Sequence, residues 1–138
     1  MCLQASPALG FDPPGRVPLG SAADAVAWAR TIPAFGWYPE VYVLFLTDDR
    51  ALRRAAWLGS ATQLDDFIAW PDFSLGYAPP GGADAVMLIV CRPGEGVEPT
   101  PDDNQVFELL RLAHDARGVP LADVVLVDGR RWCSMSAR

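Results

Sequence analysis

The chain has no lysine. All eleven of its basic residues are arginine, set against seventeen aspartates and glutamates for a net charge of −6. A protein that tracks a nucleic-acid backbone needs a concentrated positive field to displace counterions, so this balance argues against that class. Histidine is nearly as scarce. With His114 alone, a zinc site built on two imidazoles cannot form within one chain, and any Ser-His-Asp or Cys-His system would have to use that residue. The three cysteines, Cys2, Cys91 and Cys133, are far apart and include no C-x-x-C pair. An odd, sparse count of this kind reads as reduced thiols in a cytoplasm. No apolar run approaches the roughly eighteen residues of a membrane span. The N-terminal stretch holds neither a basic region nor a sustained apolar one, so no signal peptide and no membrane contact are expected.

What is present fits a folded domain. Hydrophobic residues make up 51% of the 138 and charged residues 20%, and a chain of this length buries about two-thirds of its unfolded surface. Residues 1–19 carry four prolines and two glycines and read as an irregular N-terminal arm, leaving 20–138 as the domain. Ser21 can cap a helix over 21–32 that Pro33 and Gly36 end. EVYVLFL (40–46) is a continuous apolar run and reads as a buried strand. TDDR (47–50) is turn chemistry, after which 51–59 returns as the second strand of a hairpin. A short helix is expected at 62–70, stopped by Pro71, with 71–82 as loop. DAVMLIVC (84–91) is the strongest strand of the chain. The segment 101–118 opens with Thr100 as N-cap, Pro101 at the first helical position and acids in the first turn, and it ends at Gly118; Val106, Leu109, Leu110 and Ala113 are its expected apolar face. LADVVLV (121–127) and RWCSM (131–135) read as a closing hairpin. Alternating helices and strands with two hairpins imply an α/β fold with a mixed sheet.

The C-terminal half, RPGEGVEPTPDDNQVFELLRLAHDARGVPLADVVLVDGRRWCSM, resembles the RadC-like branch of the JAB/MPN (JAMM) metalloprotease-like domains. There a proline-glycine loop with acids precedes a long helix and a hairpin, and Gly118, Pro120, Leu121, Asp123, Gly129, Arg131 and Ser134 match that hairpin. The upstream segments SAADAVAWAR and PEVYVLFLTDD resemble the helix and first strand that open the same domain. The resemblance spans roughly residues 18 to 138. It implies a bacterial protein with a cytidine-deaminase-like, three-layer architecture, a mixed sheet flanked by helices. The family's usual helix-hairpin-helix region has no place in this chain.

The resemblance also implies where a zinc site would lie, and there the chain departs from the family. Glu40 falls at the family's strand glutamate, Val90 and Arg92 at its two histidines, Thr100 at its serine and Asp103 at its aspartate. Valine has no donor atom and arginine is a permanent cation, so no metal and no cofactor are expected. Glu40, Thr100 and Asp103 are then vestigial. Each has a plain reading as well. Thr100 and Asp103 stand at the positions of a capping box, and Glu40 can mark where a strand emerges into solvent. Arg92 is either a solvated loop residue or a counter-ion placed between Glu40 and Asp103 where the metal would sit. By strand alternation Cys91 points to the opposite face as an inert buried thiol. Cys133 reads as core. His114, near the helix C-terminus, reads as a surface residue favoured by the dipole. Asp48–Asp49 and Asp65–Asp66 read as a turn and a helix start. Trp37–Tyr38 and the Trp70–Tyr77 stretch gather aromatics outside regular elements, a composition found at interfaces.

Two functions from different classes follow. One is a metal-free pseudo-enzyme, a JAB/MPN domain retained as a protein-binding or scaffold module, with a protein partner or a second copy of itself. The other is a metal-dependent hydrolase, peptidase- or nuclease-like, with an altered site that uses Glu40 and Asp103. A nucleic-acid partner is the weakest expectation.

Overall fold

The computed structural model describes residues 10–60 and 71–136. Nine elements follow in chain order: β1 (Gly10–Phe11), α1 (Ala22–Ala29), β2 (Glu40–Leu46), β3 (Leu52–Gly59), α2 (Pro71–Leu75), β4 (Ala85–Cys91), α3 (Pro101–Ala116), β5 (Leu121–Asp128) and β6 (Arg131–Ser134). The expected helix at 62–70, with Asp65, Asp66 and Trp70, and Cys2 in the N-terminal stretch all lie outside the described residues.

Alternation along the strands sets the layers. Side chains two residues apart share a sheet face, and both faces of β2 and β4 are apolar, so both must be covered. Val41, Val43 and Phe45 of β2, with Val86, Leu88 and Val90 of β4, join Val106 and Leu110 of α3 in one core. Tyr42, Leu44 and Leu46, with Met87, Ile89 and Cys91, join Ala25, Val26 and Ala29 of α1 in the other. The result is helix, sheet, helix.

The sheet order is β1-β3-β2-β4-β5-β6. Among the described residues only β4 and β5 run parallel, and α3 connects them; every other pairing there is antiparallel. The sheet is therefore mixed, and β4 sits inside it between β2 and β5 with no side chain from Val86 to Cys91 more than 2% exposed. Among the described residues no helix is long and apolar enough to cross a membrane.

Two stretches depart from the sequence expectation. The segment 10–19, expected to be an irregular arm, extends the sheet: Gly10 and Phe11 pair with Ala56 and Ala55. Leu19, 1% exposed, enters the core on the α1 side, and its amide donates to the Arg50 carbonyl at 2.7 Å. An otherwise open edge of β3 takes up backbone donors that the prolines do not disable. Residues 71–75, expected to be loop, form the short helix α2, which opens at Pro71 and carries in its first turn Asp72, ion-paired with Arg117 at the end of α3.

The arginines serve this architecture through their planar forks. Arg53 donates to the carbonyls of Gly82 (2.7 Å) and Pro80 (3.0 Å). Arg54 pairs with Asp12 and also donates to the carbonyls of Tyr77 and Ala78. The loop before β4 is thus clipped to the edge of the sheet.

Candidate functional site

Three of the residues singled out by sequence, Arg92, Thr100 and Asp103, meet where β4 ends and α3 begins. Arg92 follows the last residue of β4, and its amide donates to the Val127 carbonyl of β5 at 2.8 Å. The loop it begins turns through Gly94 (φ +84) and Gly96 (φ +77), left-handed conformations that favour glycine. The amides of these two glycines donate to the Asp128 carboxylate at 2.9 and 2.8 Å, and Arg131 adds a third donor at 2.9 Å. The two amides above all, with Arg131, hold the Asp128 pKa below the usual carboxylate range. The loop is pinned at its middle and delivers Thr100 to the start of α3.

There the capping box forms as the sequence implies. The Thr100 hydroxyl accepts from the Asp103 amide at 3.0 Å, and the Asp103 carboxylate accepts from the Thr100 amide at 2.9 Å. Asp103 carries a second duty. Arg92 Nη1 donates to both of its oxygens, at 3.2 and 3.1 Å, with side-chain exposures of only 5% and 6%. Two buried charges of opposite sign close the site. Arg92 Nε is also buried and finds no partner.

Glu40 is not part of this cluster. Its register partner across the sheet is Cys91, and its Oε2 accepts from the Tyr42 hydroxyl at 2.9 Å. Tyr42 and Cys91 belong to the core on the α1 side, whereas Arg92 and Asp103 lie toward α3. The expected three-residue cleft is corrected to a two-residue pair, because Glu40 is one position out of phase with the α3 side. The residue that does share that face is Val41, paired with Val90, and both are fully buried. Burial first, then the Glu40 charge, pushes the Cys91 thiol up to about 12. Burial first, then the hydrogen bond to Glu40, raises Tyr42 above the ordinary phenol range.

A zinc ion does not fit these residues. Valines stand at the centre of the α3 face, Arg92 adds a cation, and both Asp103 oxygens are engaged. Among the described residues no group of three or more His, Cys, Asp and Glu side chains is arranged to hold a metal ion. Glu40 is hydrogen-bonded to Tyr42 of the core on the α1 side, and Asp103 to Arg92 on the α3 side.

His114, expected at the surface, is 1% exposed on the inner side of α3. Burial, followed by the neighbouring Arg117 charge, lowers its pKa. Its Nδ1 is unpartnered, and it lies in the last turn of α3, at the opposite end of the helix from Asp103. The buried face of α3 is Asp103, Val106, Leu110 and His114, whereas Leu109 is 45% exposed. The expected face was therefore shifted by part of a turn. Cys91 is buried as expected, while Cys133 is only half-buried.

Sequence reasoning passed over two clefts. One, of about 430 Å³, lies beside Ser21, Arg50, Asp123 and Trp132. It adjoins the buried Asp123 carboxylate, which accepts from the Ser134 hydroxyl and from the Ser136 amide at 2.9 Å. The other, of about 450 Å³, lies between Trp37 and the β5–β6 turn; the Trp37–Tyr38 pair was its one visible signal. No family model matches the chain, and no curated protein matches it.

Proposed function

We propose that the chain is a metal-free member of the RadC-like JAB/MPN group that works by binding another protein. The observation that carries this reading is the Arg92–Asp103 pair. It joins two of the residues that the resemblance aligns with the family's metal motif, and it supplies a buried cation to the Asp103 carboxylate.

The residues that carry the resemblance each have a duty in this architecture. Asp123 and Ser134 bond to each other across the last hairpin. Gly129 (φ +60) forms its turn, and Gly118 (φ +77) ends α3. The capping box of Thr100 and Asp103, two residues that the resemblance aligns with the family motif, starts the helix that joins the parallel strands β4 and β5. A well-bonded scaffold around a closed ion pair suits a domain that works through its surface.

The test has two arms. The purified chain is incubated with zinc, dialysed and measured by plasma mass spectrometry; zinc far below one ion per chain is expected, and one retained ion per chain overturns the reading. The tagged chain is then expressed in its own cell type and its complexes are weighed by native mass spectrometry. A defined complex that re-forms from purified components is expected, and a chain that stays alone under all conditions counts against a binding role.

A further inference from the structure

The cleft between the α1–β2 connection and the β5–β6 turn is built rather than incidental. Beyond α1 the chain descends through consecutive tight turns, with amide-to-carbonyl bonds Thr31 to Trp28, Ile32 to Ala29, Phe35 to Ile32 and Trp37 to Ala34, all between 2.9 and 3.2 Å. Phe35, 8% exposed, anchors this stretch against Tyr42 with ring centroids 5.8 Å apart. Gly36 has φ +85, and a Cβ there would lie 3.6 Å from the Gly129 carbonyl. Ala34 holds φ +62 without being glycine, a strain that the fold must sustain. Against that rigid backing Trp37 is 78% exposed and Tyr38 59%. A large apolar ring held in water by a fixed backbone is an anchor for something else.

Two arginines and one aspartate line the cleft, although the chain carries −6. Arg30 donates to the Arg130 carbonyl at 2.7 Å, which holds its guanidinium at the cleft wall without neutralising it. Arg130 is exposed and, among the described residues, makes no side-chain hydrogen bond or ion pair. The acid in the lining, Asp128, is spent on two amides and Arg131. Glu40, on the same sheet face, accepts from Tyr42. Two arginine charges are left to an incoming ligand, beside an aromatic ring. An acidic segment is repelled by most of this surface and attracted here, so charge selects both the partner and the place.

We infer that the Arg30–Trp37–Arg130 cleft binds an acidic peptide segment of a protein partner, its carboxylates on the two guanidiniums and an apolar side chain on the Trp37 ring. This deepens the protein-binding reading and rests on it. A single-stranded nucleic acid offers phosphates and stacking bases as well, but its long uniform charge meets the acidic remainder of the surface.

The full chain, labelled with nitrogen-15, is titrated with three probes: a short synthetic peptide of alternating acidic residues, leucine and phenylalanine, the same peptide with lysine in place of every acid, and oligothymidylate. The acidic peptide is expected to move the Trp37 indole signal and the amides of Gly36, Gly129 and Arg130, more weakly as salt rises. Arg30→Gln with Arg130→Gln should weaken it about fivefold, in line with two exposed ion pairs, and Arg130→Gln alone, which keeps the Arg30 hydrogen bond to the Arg130 carbonyl, should weaken it with thermal stability unchanged. Trp37→Ala should weaken it further. Equal binding of the lysine peptide, tighter binding of oligothymidylate, or signals that move only elsewhere overturns the inference. If an isolated partner protects the exposed Leu109–Leu112 face of α3 instead, this site fails and the binding reading stands. If the cleft takes the acidic peptide while no partner complex is ever found, the site stands and the broader reading fails.

Discussion

Arg92 and Asp103 stand eleven residues apart in sequence and meet at 3.1 Å in a nearly dry setting, one at the end of β4 and the other in the first turn of α3. The same carboxylate closes the capping box with Thr100. Asp103 is thus the point where an ion pair and a helix start share one side chain, and its removal disturbs both.

Removal of both partners is expected to cost less than the two single removals added together. Arg92→Ala leaves a buried carboxylate without its counter-charge and should destabilise the domain by about 3–5 kcal/mol. Arg92→Leu combined with Asp103→Leu should cost clearly less than the sum of the single changes. Urea unfolding of the four proteins in the cycle measures this, and simple additivity would mean that the pair does not interact in solution.

Glu40 lies across the sheet from that pair and should behave as an independent site. Combining Glu40→Gln with Arg92→Leu is expected to give a coupling below about 0.5 kcal/mol. Glu40→Gln should also let Tyr42 ionise at lower pH, since the carboxylate that accepts from its hydroxyl is gone. Ultraviolet difference titration follows the phenol directly. A coupling well above that bound would return Glu40 to the Arg92 cluster.

The two neighbouring leucines of α3 separate its faces. Leu110, 1% exposed, lies in the core against the sheet, and Leu110→Ala should cost about 2–5 kcal/mol. Leu109→Ala, at a position 45% exposed, should stay within about 0.5 kcal/mol. Thermal unfolding that showed the reverse order would mean that the helix is rotated.

His114 makes stability depend on pH. Burial keeps its folded-state pKa below the ordinary value of 6.5, so the unfolded chain binds the proton more readily than the folded one. The contribution is complete above 6.5 and is lost as pH falls from there through the lower folded-state value. The slope approaches, at most, about 1.4 kcal/mol per pH unit. Denaturant midpoints measured from pH 7.5 down to about 5 should fall for the native chain and flatten for His114→Leu. An unchanged slope in that variant would place the titrating group elsewhere.

Cys91 should be silent to thiol reagents in the folded chain. Its thiol is pushed up to about 12 by burial and by the Glu40 charge, which leaves almost no thiolate near neutral pH. Labelling followed by peptide mass mapping should find Cys91 modified only after unfolding, and rapid modification of the native chain would show that β4 opens.

Local pattern carried much of the fold. The apolar runs at 40–46 and 84–91 became β2 and the central β4, and Thr100, Pro101 and Asp103 announced the start of α3 through short-range hydrogen-bonding preferences. These features were legible because each depends on residues only a few positions apart. The face of α3 was less legible: Leu109 and Leu110 are both leucine, and only the direction in which the helix meets the sheet buries one and exposes the other. The ordering of residues 10–19 and the helix α2 were hidden as well. The first pairs with the distant edge of β3, and α2 is five residues long, too short to show a helical period in the sequence.

Composition and strand period determined the α/β mixed sheet, the capped helix, the absence of paired imidazoles and the charge that meets Asp103. Tertiary structure alone decided that Glu40 belongs to the other face. A strand's side-chain period is two, so a placement one residue out of phase moves a group from one core to the other while leaving its position in the motif almost unchanged. It also decided that Arg30 and Arg130, a hundred residues apart, stand together beside Trp37. No local preference encodes such a meeting, because it arises only when the β5–β6 turn closes against the turns that follow α1.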